Sequence, residues 1–248
     1  MDQSPENTTD SNPFTKPGFI IAAALVLALI AGAIVIFLLP KGQGNAQPAP
    51  AAGNGSTAAS PTTSAEAGGS VCGLPASSET ALGSAPKSKW ELVGRMAAPT
   101  DPETFGPGVT DASGFRSCFA HSPTGALYAA ANMVALGSLS DGVIQKELIE
   151  KLVVPGPGRD AALRDVRTPS GTDSSSIQIR GFVLKAYSTT AAHVDLAFST
   201  PTGEYGHGVL PLKWVDGDWK VEIADSGELL NDVAQISDLS EFIPWSGA

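Results

Sequence analysis

The feature that most constrains this chain is an uninterrupted apolar stretch near its amino terminus. Residues 19–39 contain no charged or polar side chain and a single glycine, Gly32. As a helix, this stretch would be about 31 Å long, close to the hydrocarbon thickness of a bilayer, about 30 Å. A cleaved signal peptide is the alternative, but the stretch is long for one and the segment before it is acidic. We therefore predict a membrane-spanning helix over residues 18–40.

The charges beside this span favour a cytoplasmic amino terminus. Lys16 and the terminal amine precede the span, whereas Lys41 alone follows it. Both cysteines, Cys72 and Cys118, lie after the span, where an oxidising compartment would allow them to form a disulfide. Two unpaired buried thiols are the alternative. We predict the disulfide, and with it a single-pass protein of the cell membrane with a short cytoplasmic tail (1–17) and an extracytoplasmic carboxyl-terminal part.

Residues 41–70 have the composition of a flexible tether. After Lys41 they contain only Gly, Ala, Pro, Ser, Thr, Asn and Gln, apart from the single charged residue Glu66. Such a chain cannot bury enough apolar surface to offset its ordering entropy. As a random coil it would have a root-mean-square reach of about 30 Å. We predict a disordered linker that holds a domain away from the membrane.

The remaining residues, 71–248, are sufficient for one domain of ordinary size. They hold most of the chain's net charge of −10, which argues against nucleic-acid binding. The chain's 2 cysteines and 3 histidines are too few for a zinc ribbon or a multi-histidine metal centre. We therefore expect no metal, no cofactor and no direct contact with nucleic acid.

The first half of this domain contains the clearest helix signals. Ser122 is suited to an N-cap, Pro123 to the first helical position, and Gly137 to the end of the helix. A second helix is predicted after Asp141, with apolar side chains on one face and charged ones on the other. A short third helix is predicted over 159–166.

The second half changes to the two-residue periodicity of strands. Asp216-Gly217 between two apolar runs predicts a two-residue type I′ hairpin. The apolar phase slips around Gly181-Phe182, as a β-bulge would produce. Four strands are predicted, over 177–187, 192–200, 206–215 and 218–224.

Helices followed by an antiparallel meander with one apolar face indicate an α+β domain in which the helices cover the sheet. From this order of elements we predict a nuclear-transport-factor-2-like (NTF2-like) cone. In that arrangement two or three helices pack on a curved four-stranded antiparallel sheet.

The sequence contains none of the common catalytic motifs, including G-x-S-x-G, H-E-x-x-H, a phosphate-binding glycine-rich loop and C-x-x-C. His121 precedes Ser122 directly, but adjacent side chains seldom face each other, and we interpret Ser122 as a helix cap. In a cone-fold enzyme the general base would be Asp195, on the strand with His193. The alternation places both residues on the face opposite the apolar side chains, toward solvent. We therefore predict a non-enzymatic protein.

One segment resembles a known group of proteins. Residues 114–126 read GFRSCFAHSPTGA and lead into an alanine-rich helix, with Trp90 and Gly94 upstream and the Trp214–Trp219 hairpin and the sequence FIPW (242–245) downstream. Together they resemble actinobacterial membrane proteins found among the genes of conjugative plasmids and integrative elements. The layout of tail, span and outer domain is also similar to VirB8-type and TcpC-type components of conjugative type IV secretion machines, whose outer domain is NTF2-like.

This resemblance implies a non-enzymatic scaffold that assembles with copies of itself and with other membrane proteins of a secretion channel. It brings no catalytic residues to carry over. The candidate contact surface consists of Lys213, Lys220 and Glu222 on the outer face of the sheet, with Phe242 and Trp245 near the carboxyl terminus. For the two aromatic residues, burial in the core is the alternative.

The competing function is an extracytoplasmic sensor or small-ligand-binding domain that uses the cavity of the cone. A scaffold predicts a cavity filled by its own side chains, whereas a ligand-binding domain predicts an open, partly polar pocket.

Overall fold

A computed structural model describes residues 68–166 and 177–247. The predicted cytoplasmic tail, the predicted span and nearly all of the predicted linker lie outside these ranges. Among the residues it describes, no helix combines the length and the apolar character needed to cross a bilayer.

Within the described residues the chain forms three helices, two of which begin at the residues predicted from the sequence. The Ser122 hydroxyl accepts a hydrogen bond from the Gly125 N–H (2.9 Å), and the Asp141 carboxylate accepts one from the Val143 N–H (2.8 Å). Both side chains satisfy backbone donors that have no partner inside the helix. The helices are α1 (Pro123–Gly137), α2 (Gly142–Leu152) and α3 (Pro157–Asp165).

The strands of the described residues form one large sheet and two small ones, all antiparallel. The strands are β1 (Lys89–Val93), β2 (Met96–Thr100), β3 (Val109–Thr110), β4 (Arg116–Ser117), β5 (Gln178–Tyr187), β6 (Ala191–Ser199), β7 (Tyr205–Val215), β8 (Asp218–Val221), β9 (Ala234–Ile236) and β10 (Ile243–Pro244). The large sheet has the order β10-β5-β6-β7-β8, with β9 also paired to β7, and the small sheets are β1-β2 and β3-β4.

The predicted NTF2-like cone with a four-stranded sheet is wrong. The four predicted strands correspond to β5–β8, but β9 and β10 extend the same sheet to six strands in the part of the chain described. Strand β10 pairs Ile243 and Pro244 with Phe182 and Gly181 of β5, about sixty residues earlier in the chain. Such short, distant pairings leave no two-residue periodicity in the sequence. The fold is a mixed helix–sheet domain dominated by a six-stranded antiparallel sheet.

Two local features of the strands were predicted correctly, although the arrangement of the sheet was not. Asp216 and Gly217 both have positive φ, 54° and 77°, as a type I′ hairpin requires, so this prediction is confirmed. The predicted bulge in β5 is also confirmed, because the register with β6 shifts between Ile179 and Gly181.

Helix α1 lies at the centre of the core, against the face of the sheet that carries the apolar residues of β6. Its alanines are fully buried, and their small side chains allow close approach to neighbouring elements. The largest side chains that are fully buried include Trp219, Tyr128, Phe115, Phe119 and Phe182.

The predicted linker ends where the chain is fixed to the domain. Cys72 and Cys118 are joined in a disulfide with their Cα atoms 6.2 Å apart. The N–H of Val71 donates to the carbonyl of Gly217 in the β7–β8 hairpin (2.8 Å). The residues around Cys72 are therefore held both covalently and by the sheet.

His121 joins the same region to the sheet. Its ring stacks on Trp214 with the centroids 4.0 Å apart and the planes 8° from parallel. Nδ1 lies 2.7 Å from the Gly68 carbonyl oxygen and Nε2 lies 2.5 Å from the Thr189 carbonyl oxygen. With both ring nitrogens engaged by backbone, His121 has a structural role.

Candidate functional site

The candidate site is a pocket of about 460 Å³ between the helices and the apolar face of the sheet. Its volume lies within the range of small-molecule sites, about 300–1,000 Å³. All three helices and strands β6, β7 and β8 contribute to it, and residues 223–233, here called the rim segment, border it. Its apolar lining includes Met133, Leu148, Ala162, Leu196, Phe198, Leu210, Val221 and Leu229.

Two glycines help to leave this space open. Gly208 on β7 lines the pocket, and a Cβ atom added there would lie 3.5 Å from Val233 Cγ2, an ordinary contact distance. Gly137 at the end of α1 lines it too, and its added Cβ would lie 3.7 Å from Leu148 Cδ2. A side chain at either position would extend into the pocket without meeting the backbone.

The pocket offers almost no polar chemistry. Among the described residues that line it, only Ser138 and Asn231 have polar side chains. The Ser138 hydroxyl donates to the Ala135 carbonyl (2.7 Å), and the Asn231 amide donates to the Val209 carbonyl (3.1 Å). Because each of these polar groups already has a backbone partner and no lining side chain among the described residues is charged, the site is suited to an uncharged apolar group.

The rim segment leaves large apolar side chains in solvent beside the pocket. Leu229 is 63 % exposed, Leu230 is 48 % exposed and Val233 is 61 % exposed. Several exposed apolar side chains grouped beside an apolar pocket are typical of a binding site.

Asp195, which the alternation placed toward solvent, is buried. Asp195 lies on the sheet face opposite the pocket, as the alternation predicted, but it is only 1 % exposed. Its carboxylate accepts a hydrogen bond from His207 Nδ1 (2.9 Å) and pairs with Lys185 Nζ (3.0 Å). The predicted exposure is wrong because side chains from the two neighbouring strands close over the carboxylate. His193, on the same strand, is exposed as predicted.

A second buried carboxylate, Asp218, fixes the hairpin to the segment before α1. It accepts hydrogen bonds from the N–H groups of Cys118 (2.7 Å), Phe119 (2.9 Å) and Trp219 (2.9 Å). Burial raises the pKa of Asp218 to about 6, although these three donors and the charge of Lys220 act in the opposite direction. Its place in the core, away from the pocket, gives it a structural role.

The predicted contact surface is only partly exposed. Lys213 and Glu222 form an ion pair on the surface (2.5 Å), and Lys220 pairs with a carboxylate of the same hairpin (3.2 Å). Phe242 is half-buried and contacts the His207 ring. Trp245 is 5 % exposed and packs in the core, where its Nε1 donates to the Ser88 hydroxyl (3.0 Å). Its ring is therefore not part of an exposed contact surface.

The pocket was not predicted from the sequence as a set of residues. Its lining comes from seven separate stretches of chain, and each of these residues has an ordinary apolar side chain that a core would also use. Two features of the sequence depart from a simple core pattern here: Gly208 within a strand, and the adjacent leucines Leu229 and Leu230 in an acidic stretch outside the predicted strands.

Comparison with known proteins gives one family. Neither the curated proteins nor the solved structures include a match to this chain. One family pattern matches residues 52–244, which is most of the chain and includes every helix and strand described above. The chain therefore belongs to the family described as Domain of unknown function (DUF8175).

Proposed function

We propose that this chain is a membrane-tethered binding protein whose outer domain holds an apolar ligand in the pocket between its helices and its sheet. The observation that carries the proposal is the pocket itself. The pocket opens beside exposed leucine and valine side chains, and about 460 Å³ of space with an almost entirely apolar lining is available there to a ligand. Of the two functions considered from the sequence, the presence of an open pocket supports ligand binding, although its lining is apolar and not partly polar as expected.

The energetics of such a site rest on burial of apolar surface. Each buried methylene group contributes about 0.8 kcal/mol, so an aliphatic ligand that buries eight of them gains about 6 kcal/mol before the cost of lost motion. The lining residues Leu196 and Leu210 belong to adjacent strands of one sheet, and Leu148 belongs to a helix packed on it. A wall formed by regular elements needs little rearrangement to accept a ligand.

Photo-crosslinking of the full chain in membranes tests the proposal. A long-chain alcohol carrying a diazirine is the probe, and peptide mapping locates the adducts. We expect adducts on α1, β6, β7 and the rim segment, and their loss in Gly208→Val, which adds an isopropyl group of three carbon atoms to the pocket wall. Gly83→Val is the matched control because Gly83 is exposed and its added Cβ would have no neighbour within 4 Å. Equal labelling in both variants would refute pocket binding.

We also propose that this binding protein serves a conjugative, type IV secretion-like apparatus as a non-enzymatic assembly component. The support is the layout of tail, span, linker and outer domain predicted from the sequence, together with the resemblance of residues 114–126. In the structure this motif is largely buried: Phe115 is 1 % exposed, Cys118 forms the disulfide and Ser122 caps α1. The motif therefore acts through the fold of the domain, and its resemblance and the predicted layout together support the role in conjugation.

Transfer assays test this second proposal. Deletion of the gene from the element that encodes it is expected to abolish transfer, and the intact chain is expected to restore it. A chain that lacks residues 1–40 should not restore transfer, because the outer domain would no longer be held at the membrane. Unchanged transfer after deletion would refute the role in conjugation.

The proposed topology is single-pass, with a cytoplasmic amino terminus and an extracytoplasmic domain. Cys72 is the better reporter of this topology, because it is exposed whereas Cys118 is 1 % exposed. After mild reduction, a membrane-impermeant thiol reagent should label Cys72 in intact cells. Labelling only after lysis would place the domain on the other side of the membrane.

A further inference from the structure

We infer that the pocket selects an aliphatic chain whose exposed end is uncharged or positively charged, such as a long-chain alcohol or amine, and disfavours a fatty carboxylate. The inference rests on the proposed ligand-binding function and adds the chemical class of the ligand. It follows from the charges that surround the pocket and not from the lining itself.

The rim segment carries three exposed carboxylates next to residues that line the pocket. Glu228 lies beside Leu229, and Asp232 lies between Asn231 and Val233. Asp225 occupies the turn that begins the segment, where the Ala224 N–H donates to the Glu228 carbonyl (2.9 Å). Consecutive Cα atoms are about 3.8 Å apart, so the backbones of Glu228 and Asp232 lie directly beside the pocket wall, and Asp225 lies two residues from the lining residues Ile223 and Gly227.

Basic side chains do not offset these carboxylates along the same part of the chain. No lysine or arginine occurs anywhere in residues 221–248. The rim segment is therefore uniformly acidic, and its negative charges alternate with exposed leucine and valine side chains.

The charges on the helices that line the pocket are balanced. On α2, Lys151 pairs with Glu147 (2.8 Å) and Lys146 pairs with Glu150 (3.6 Å). On α3 there are two arginines and two aspartates in nine residues. The rim segment thus sets the sign of the potential at this side of the domain.

A ligand with its chain in the apolar pocket must place a charged end outside it, since none of the described lining side chains is charged and the Asn231 amide lies on the exposed rim segment. A carboxylate end would then lie among negative charges, and an ammonium end would be attracted by them. For charges about 6 Å apart in water with physiological screening, one pair changes the binding constant by a factor of about two, so three rim charges at that separation would change it by about tenfold.

Competition against the photoreactive alcohol tests this inference. Dodecanol, dodecylamine and dodecanoate have the same chain length and differ in the end group, so all three compete for the same pocket. With the native chain at neutral pH, we expect dodecanol and dodecylamine to compete and dodecanoate to compete about tenfold less well than dodecanol.

The decisive variant is the triple substitution Asp225→Asn, Glu228→Gln and Asp232→Asn. It should bring dodecanoate to the level of dodecanol and weaken dodecylamine. The matched control removes three exposed carboxylates that do not line the pocket, Glu79→Gln, Glu103→Gln and Glu204→Gln, and should leave the order of competitors unchanged. A given competitor enters the bilayer to the same extent with every protein variant. Differences in competition between variants therefore report binding in the pocket.

Each result has a distinct meaning. Equal competition by all three compounds in the native chain, or an unchanged order in the rim variant, would overturn the inferred selectivity while leaving ligand binding intact. Competition by none of them, with no adduct in the pocket, would overturn the proposed function as well.

Discussion

The buried carboxylate of Asp218 makes a prediction about how stability depends on pH. Burial raises its pKa to about 6, whereas three backbone N–H groups favour the ionised form. Because the folded protein holds this proton to a higher pH than the unfolded chain does, the group favours folding below about pH 4. That contribution is lost as the pH rises through about 6.

The size of the effect follows from the shift. Each unit of pKa corresponds to about 1.4 kcal/mol, so a rise from 3.8 to about 6 removes about 3 kcal/mol of the free energy of unfolding between pH 4 and pH 7. Other groups also titrate in this range, and the contribution of Asp218 has to be isolated by comparison with Asp218→Asn, which cannot ionise.

Urea unfolding followed by tryptophan fluorescence is the assay. All four tryptophans lie beyond residue 89, so the signal reports the outer domain alone. The free energy of unfolding of the native protein minus that of Asp218→Asn should fall by about 3 kcal/mol between pH 4 and pH 7. Asp216→Asn is the control, because Asp216 has positive φ, which asparagine tolerates, and its side chain is 74 % exposed.

Two results would refute this reasoning. A difference that stays constant over this range would mean that the N–H donors cancel the effect of burial. A difference that grows with pH would mean that they outweigh it, and that Asp218 stabilises the fold as an anion.

Four further predictions concern stability, measured by the same urea titration. Replacing Cys72 and Cys118 together by serine should lower the free energy of unfolding by about 4 kcal/mol, because the disulfide closes a loop with a sequence separation of 46; an unchanged midpoint would contradict this. Trp245→Ala should cost about 3–5 kcal/mol, as expected for a core aromatic and not for a surface contact. Gly217→Ala should lower the free energy of unfolding by about 1 kcal/mol or more, because φ is 77° and the added Cβ would lie 3.0 Å from the Val71 nitrogen. Ser122→Ala should lower it by about 1 kcal/mol, because the cap of α1 is lost.

Local chemistry made the helices and the main hairpin predictable. Ser122-Pro123 and Asp141 mark helix starts because they satisfy backbone donors within a few residues, and Asp216-Gly217 fixes a turn by its own conformational preferences. These effects depend on neighbours in the sequence and can be read directly from it.

Long-range pairing was not predictable in the same way. Strand β10 has two residues and depends on β5 for its existence, and β1–β4 are short and lack alternation. Asp195 shows the same limit for a single side chain. The alternation of apolar and polar residues correctly predicted the sheet face on which Asp195 lies. Its burial, however, depends on Lys185 and His207, which reach it only when three strands are aligned.

The disulfide also determines how the domain would respond to a pull from the membrane. Tension along the predicted linker reaches Cys72 and passes directly through the sulfur atoms to Cys118, four residues before the cap of α1. The 45 residues enclosed between the cysteines, which include β1–β4, carry none of this load. In an oxidising compartment the force is therefore delivered to the central helix, and reduction would transfer it to the short hairpins.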